Sequence, residues 1–168
     1  MIKAGILTAS DKGSTGQRAD ESGRVIAELL GQIGAEAAEY IIVPDEKAVI
    51  SASLIRMADE LGIDLILTTG GTGFSPRDIT PEATLAVIDR QVPGIPEAMR
   101  RKSLEITPRA MLSRAVAGIR NKTLIINLPG SPKGVRECLE VILPVLPHAV
   151  EILKGQAGEC ARTAAESR

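Results

Sequence analysis

Leu65-Ile66-Leu67-Thr68-Thr69-Gly70-Gly71-Thr72-Gly73-Phe74-Ser75-Pro76-Arg77-Asp78-Ile79-Thr80-Pro81-Glu82 is the stretch that decides how the rest of the chain is read. A short apolar run ends at Thr68, and glycines follow at positions 70, 71 and 73. This pattern is that of a buried strand delivering its backbone to a point where a ligand approaches unhindered. Thr80 before Pro81 reads as an N-cap with proline at the first helical position. The loop then feeds a helix whose N-terminal amides attract an anion such as phosphate. Between glycines and helix stand Arg77, a fixed cation, and Asp78, a carboxylate suited to a hard metal ion. The same residues also fit a plain tight connection in which Asp78 only solvates the loop or complements the helix dipole. The segment is not a Walker A loop, because no Gly-Lys-Ser/Thr follows at the required spacing, nor is it a GxGxxG fingerprint.

Outward from this loop, strands and helices alternate. Ile2 to Thr8 reads as a strand, Ser10 to Asp20 as a polar loop, and Val25, Ile26, Leu29, Leu30 and Ile33 as the apolar face of a helix stopping at Gly34. Glu39 to Val43 is a second strand, and Val49, Leu54, Met57 and Leu61 mark a helix that ends at Gly62 before the strand Ile63 to Thr68. Helices are predicted over Pro81 to Asp89 and Ile95 to Glu105. Ala115 to Ile119 and Thr123 to Asn127 read as a hairpin around Arg120-Asn121-Lys122. Helix follows from Pro132 to Leu143 and restarts at Pro144, continuing to Lys154. Residues 1–155 are expected to form one domain and 156–168, small and polar, a frayed tail. The alternation implies an α/β fold, a mostly parallel sheet covered by helices on both faces with one antiparallel hairpin. Ligands in such folds sit outside the carboxyl ends of the strands. Ser10-Asp11, Asp45, Gly70 to Asp78 and Pro129-Gly130-Ser131 all follow strands and are expected to meet at one rim.

Composition narrows the function. The chain has 168 residues and a formal net charge of −1, so it carries no broad field for nucleic acid or anionic lipid. Aromatic residues make up 1%, which argues against base-stacking platforms. Cys138 and Cys160 with His148 fall short of a four-ligand zinc site and read as free thiols. No apolar run is long enough to span a bilayer, and Met1 leads straight into a strand without a signal-peptide pattern, so the cytoplasm is the expected compartment.

The run TTGGTGFSPRDITPEAT resembles the signature of the molybdopterin-binding family typified by the bacterial Mog and MoaB proteins and by the adenylyltransferase domains of plant Cnx and animal gephyrin proteins. The likeness extends through Ser10-Asp11, Val43-Pro44-Asp45-Glu46, the segment from Ser103 to Pro108, Met111-Leu112-Ser113-Arg114 and Asn127-Leu128-Pro129-Gly130-Ser131-Pro132. It implies a three-layer α/β/α sandwich assembled as a homotrimer. It further implies transfer of AMP from Mg-ATP to the phosphate of molybdopterin, releasing pyrophosphate, and transient contact with other proteins of molybdenum cofactor biosynthesis. Taken alone, Asp45 reads as a helix N-cap. The resemblance instead makes Asp45 and Asp78 the catalytic carboxylates and candidate Mg²⁺ ligands. It puts Gly70, Gly71, Thr72, Gly73, Arg77, Ser113, Gly130 and Ser131 on the substrate and Ser10 with Asp11 on the nucleotide. Without it, Leu-Ser-Arg at Ser113 is a helix end or turn, and Arg77 and Arg114 are either phosphate partners or solvated charges. Two other functions fit the same residues: a MoaB-like protein that binds molybdopterin without adenylating it, and a nucleotide pyrophosphatase resembling the amino-terminal domain of CinA-like proteins.

Overall fold

The computed structural model of the protein describes residues 1–156, so the expected tail lies, apart from its first residue, outside the described residues. In chain order the elements are β1 (Ile2–Ala9), α1 (Asp11–Ser14), α2 (Glu21–Leu30), β2 (Ala35–Val43), α3 (Lys47–Ile55), β3 (Leu65–Thr69) and α4 (Thr80–Leu85). They continue with β4 (Arg90–Gln91), α5 (Gly94–Leu104), β5 (Ala117–Arg120), β6 (Thr123–Leu128), α6 (Pro132–Ile142) and α7 (Leu146–Leu153). The strands form one sheet in the order β2-β1-β3-β6-β5-β4. β2, β1, β3 and β6 are parallel, and β5 runs antiparallel to both of its neighbours.

Every residue of β3 and β6 is buried, as a parallel strand covered on both faces requires. Side chains alternate between two cores. Ala4, Ile6, Leu65, Leu67, Leu124 and Ile126 pack with α2, α5, α6 and α7 on one face. Leu7, Ile66 and Ile125 pack with Ile50 and Leu54 of α3 and Ala83 beyond the start of α4 on the other. Helices therefore cover both faces of the sheet, the expected three layers.

Several boundaries differ from the sequence reading, each for a physical reason. β2 begins at Ala35 rather than Glu39, because it pairs along the full length of β1 although Ala35 to Glu39 carries little apolar signal. The polar stretch after β1 contains the one-turn α1, capped by Ser10 Oγ accepting from Gly13 N at 3.0 Å. Two-residue β4 is an unpredicted strand, recruited by pairing with β5. The last turn of the α3 segment, Arg56–Glu60, widens to a π-helix.

Asn127 ties the layers together beneath the rim. Its Nδ2 donates to Thr68 Oγ1 on β3 at 3.0 Å and to Thr84 Oγ1 on α4 at 2.9 Å, while its Oδ1 accepts from Val116 N at 3.2 Å. The side chain is fully buried, so losing it leaves polar groups without water to replace it. Asn127→Leu is expected to cost about 1–3 kcal/mol, read as a lower urea midpoint at unchanged slope. An unchanged midpoint would refute this role.

Candidate functional site

Loops leaving the carboxyl ends of the four parallel strands are hydrogen-bonded to one another. Ser10 N donates to Val43 O at 2.9 Å, joining the exits of β1 and β2. Thr69 Oγ1 donates to Pro129 O at 2.6 Å, and Ser22 Oγ on α2 donates to Gly130 O at 2.7 Å, fixing the exit of β6. At this rim lies a cavity of about 690 Å³ lined by Ser10, Asp45, Gly70, Gly71, Asp78, Gly130 and Ser131 among others. A second cavity of about 520 Å³ adjoins it, lined by Thr72, Gly73 and Ser113 and sharing Ser131. The glycine turn separates the two.

The glycines are required first by the chain's approach to itself. Gly70 and Gly71 have φ of +90° and +69°, and a Cβ would drive Gly70 into the carbonyl of Ala9 and Gly71 into the hydroxyl of Thr80. A Cβ at Gly73 would stand 2.9 Å from Asp78 Oδ2. Thr80 is not the N-cap. Ile79 holds that position without a side-chain bond, Thr80 N donates to Gly71 O at 3.1 Å, and the six-residue α4 begins fully buried. The anion-binding helix end predicted there is therefore closed by the glycine turn.

Asp45 is also not a cap, since Glu46 precedes α3. Its Oδ2 accepts from Asp11 N at 2.9 Å, and its own amide donates to Asp11 Oδ1 at 3.0 Å, a reciprocal pair across two loops. Burial raises the Asp45 carboxyl above the usual range, and the neighbouring charges of Asp11 and Asp78 add to the rise. Asp11 is lowered, chiefly by Arg77, which donates from Nε to Oδ2 at 3.0 Å and from a terminal nitrogen to Oδ1 at 2.9 Å. Asp11 and Arg77 thus face each other, and neither lines either cavity. Asp78 Oδ2 accepts from Ser75 N at 2.9 Å, folding the carboxylate back over its own loop.

Arg114 serves neither role open to it from sequence. Its Nε donates to Gly73 O at 2.7 Å, one terminal nitrogen to Asp78 O at 2.8 Å, and the other to Glu82. It binds the two ends of the glycine turn to α4. Ser113, just before it, follows a 3₁₀ turn over Pro108–Leu112 and faces the second cavity with Met99, Arg100, Ser103 and Cys138. Arg100 carried no sequence signal beyond a helical face, and Ser103 only its place at the start of the Ser103 to Pro108 segment of the resemblance. Cys138 is buried, as expected of a packing residue, and burial pushes its thiol up. Asp20 lines the first cavity and was also unpredicted. It accepts from Thr8 Oγ1 at 2.5 Å and from Tyr40 OH at 2.6 Å, holding the segment before α2 against the sheet.

Fold and site define an α/β protein that presents two adjoining ligand cavities at the carboxyl rim of its sheet. Residues 5–148 match the family described as a probable molybdopterin binding domain, and the chain belongs to that family. It is 51% identical over 156 residues to the molybdopterin adenylyltransferase of Helicobacter pylori (strain J99), covering 92% of this chain and 89% of that protein. The crystal structure of the molybdopterin biosynthesis enzyme MoaB from Thermus thermophilus is similar with TM-score 0.88 and 55% identity, covering 92% of this chain and 98% of that one. The protein CinA from Thermoplasma acidophilum, at 19% identity and TM-score 0.66 over 86% of this chain and 97% of that one, shares the fold alone.

A side chain at position 70 meets backbone that cannot swing aside. Gly70→Ala is expected to destabilise the protein by about 1–3 kcal/mol or more through the left-handed strain alone, seen as a reduced denaturation midpoint. Wild-type stability in that variant would show that the turn has slack.

Proposed function

We propose that the protein is a molybdopterin adenylyltransferase of molybdenum cofactor biosynthesis. A phosphate oxygen of molybdopterin attacks the α-phosphorus of ATP, the bond to the β-phosphate breaks, and pyrophosphate leaves. The observation that carries this reading is the opposite charge of the two adjoining cavities. The first is lined by Asp20, Glu21, Asp45 and Asp78 against Arg18, and the second by Arg100, Arg109 and Lys133 against Glu137. A nucleotide triphosphate enters the acidic cavity only with a cation. An anionic organic phosphate suits the other, whose wall also holds Met99, Ile106 and Leu112. The 51% identical relative supports the same assignment.

Asp45 and Asp78 would hold Mg²⁺, and the residues fit that ion. Both offer hard oxygen donors, and Asp45 Oδ1 lies beside Gly71 while its Oδ2 is taken by a backbone amide. Mg²⁺ keeps several waters and takes one or two carboxylates together with phosphate oxygens, so two protein ligands would be enough. Bound there, Mg²⁺ supplies charge neutralisation to the triphosphate. We assign Ser10 to the nucleotide side, Thr72, Gly73 and Ser113 to the molybdopterin side, and Gly130 with Ser131 to where the two meet; Gly70 and Gly71, expected on the substrate, line the first cavity and are reassigned to the nucleotide. No covalent nucleophile is required, because catalysis here is positioning and electrostatics.

The enzyme is proposed to act in the cytoplasm, and no helix among the described residues is long and apolar enough to cross a membrane. A homotrimer is proposed as well, supported by apolar side chains left outside both cores, with Phe74 at 70%, Met111 at 65% and Ile106 at 51% exposure.

Purified protein with Mg-ATP and molybdopterin is expected to release pyrophosphate and form adenylylated molybdopterin, and to stop in chelator. Asp78→Asn is expected to lower that rate by about 10²-fold while molybdopterin affinity measured by calorimetry stays near wild type. Binding of molybdopterin without turnover would leave the MoaB-like binding protein as the function. Nucleotide hydrolysis without transfer would leave the pyrophosphatase. Light scattering at micromolar concentration is expected to give the mass of three chains, and a monomer would exclude the trimer.

A further inference from the structure

Arg114 draws the glycine turn together from outside it. Its three donor directions meet Gly73 O, Asp78 O and the Glu82 carboxylate, and its own amide donates to Thr72 O at 2.9 Å. These acceptors stand 32 to 42 residues earlier in the chain and come from both sides of the loop that carries Asp78. The segment supplying the guanidinium is itself fixed. Arg100 on α5 donates to Ala115 O at 2.9 Å, and Ser113 lines the second cavity. Arg114 thus stands between the wall of one cavity and the acidic residue of the other, with each of its three guanidinium nitrogens bonded to a protein acceptor.

We propose that Arg114 is a positioning residue for Asp78. It touches no substrate, holds the carbonyls at both ends of the turn, and thereby fixes the Asp78 carboxylate relative to a ligand in the second cavity. This rests on the adenylyltransferase reading for its kinetic consequence but not for its structural one. A lysine cannot replace the guanidinium, because a compact ammonium does not serve three acceptors in a planar fork. A displacement of about 1 Å at a reacting group costs about 10²-fold in rate, so a small relaxation of the turn is enough to be measured.

Two measurements test the proposal. Amide hydrogen exchange in wild type, Arg114→Lys and Arg114→Ala follows the turn without any turnover. Residues 70–78 are expected to exchange about tenfold faster or more in both variants, with β1, β3 and β6 unchanged, since bonds from a charged donor to the turn are lost. Kinetics on the same variants are expected to show kcat lowered by about 10²-fold with both KM values within about threefold, partly restored in Arg114→Ala by millimolar guanidinium. The double variant with Asp78→Asn is expected to be no slower than Asp78→Asn alone, because once the carboxylate charge is gone its position no longer matters to the rate. Unchanged exchange in 70–78, losses that multiply in the double variant, or a raised KM for ATP at intact kcat would each overturn the positioning role. If the wild type transfers no adenylyl group, the proposed function fails, and the exchange experiment still decides whether Arg114 holds the turn.

Discussion

β1 and β3 are neighbours in register, Thr8 beside Thr69, and the chain leaving β3 has to pass directly against the carbonyl of Ala9. Adjacent strands lie under 5 Å apart, so the passage admits no Cβ at Gly70. Every later placement in the loop inherits this closeness. Gly71 then lies against the Thr80 hydroxyl, which sets where α4 begins, and Gly73 lies against Asp78. Thr80 Oγ1 is buried there without a hydrogen-bond partner among the described residues. The Asp78 carboxylate therefore belongs to a loop whose start is fixed against the sheet at Gly70 and whose end is fixed at Thr80.

The charges around the turn divide according to their neighbours. Arg77 and Asp11 pair in the open, where solvent screens them, so their bond contributes little stability and acts chiefly as a strut between the exits of β1 and β3. Asp45, partly withdrawn from water, has its carboxyl raised by burial and by the charges of Asp11 and Asp78. On the proposed reading this is where a divalent cation has most to gain.

What was legible in the sequence follows from what is local. β3 and β6 showed through the apolar triplets Leu65-Ile66-Leu67 and Leu124-Ile125-Ile126, since both faces of each strand are buried, and the convergence of four loops followed from parallel order alone. The start of β2 was hidden because Ala35-Glu36-Ala37-Ala38-Glu39 pairs through backbone at an edge and needs no apolar pattern. Thr80 misled because Thr-Pro is a capping signal only when the turn ahead leaves the threonine extended. Here that turn delivers Ile79 to the cap and uses the Thr80 amide itself. The roles of Arg114 and Arg100 gave no signal, since their partners are mostly backbone carbonyls distant in sequence, and a carbonyl has no residue identity to read. Asp20 was silent for a related reason: an aspartate just before a helix is sufficiently explained by capping, and its bonds to Thr8 and Tyr40 exist only in the fold.

On the proposed function, carboxylates line a site for phosphates. Two unit charges of like sign 4 Å apart repel by about 4 kcal/mol at the effective dielectric of a protein surface, and the proposed substrates each carry several. A few neutral hydrogen bonds, at about 1 kcal/mol each, do not offset that. Filling both cavities with arginine would relieve the repulsion but would also hold the pyrophosphate product. On the proposed reading, a cavity in which Asp45 and Asp78 would hold an exchangeable cation would take its positive charge with the nucleotide and could release it with the product. Fixed cations then remain in the second cavity, at Arg100, Arg109 and Lys133, for the substrate that arrives without a metal. On the proposed function, the asymmetry between the cavities would order the chemistry: a charge-compensated nucleotide on one side, a protein-compensated phosphate on the other, and the glycine turn held by Arg114 as the boundary across which they would react.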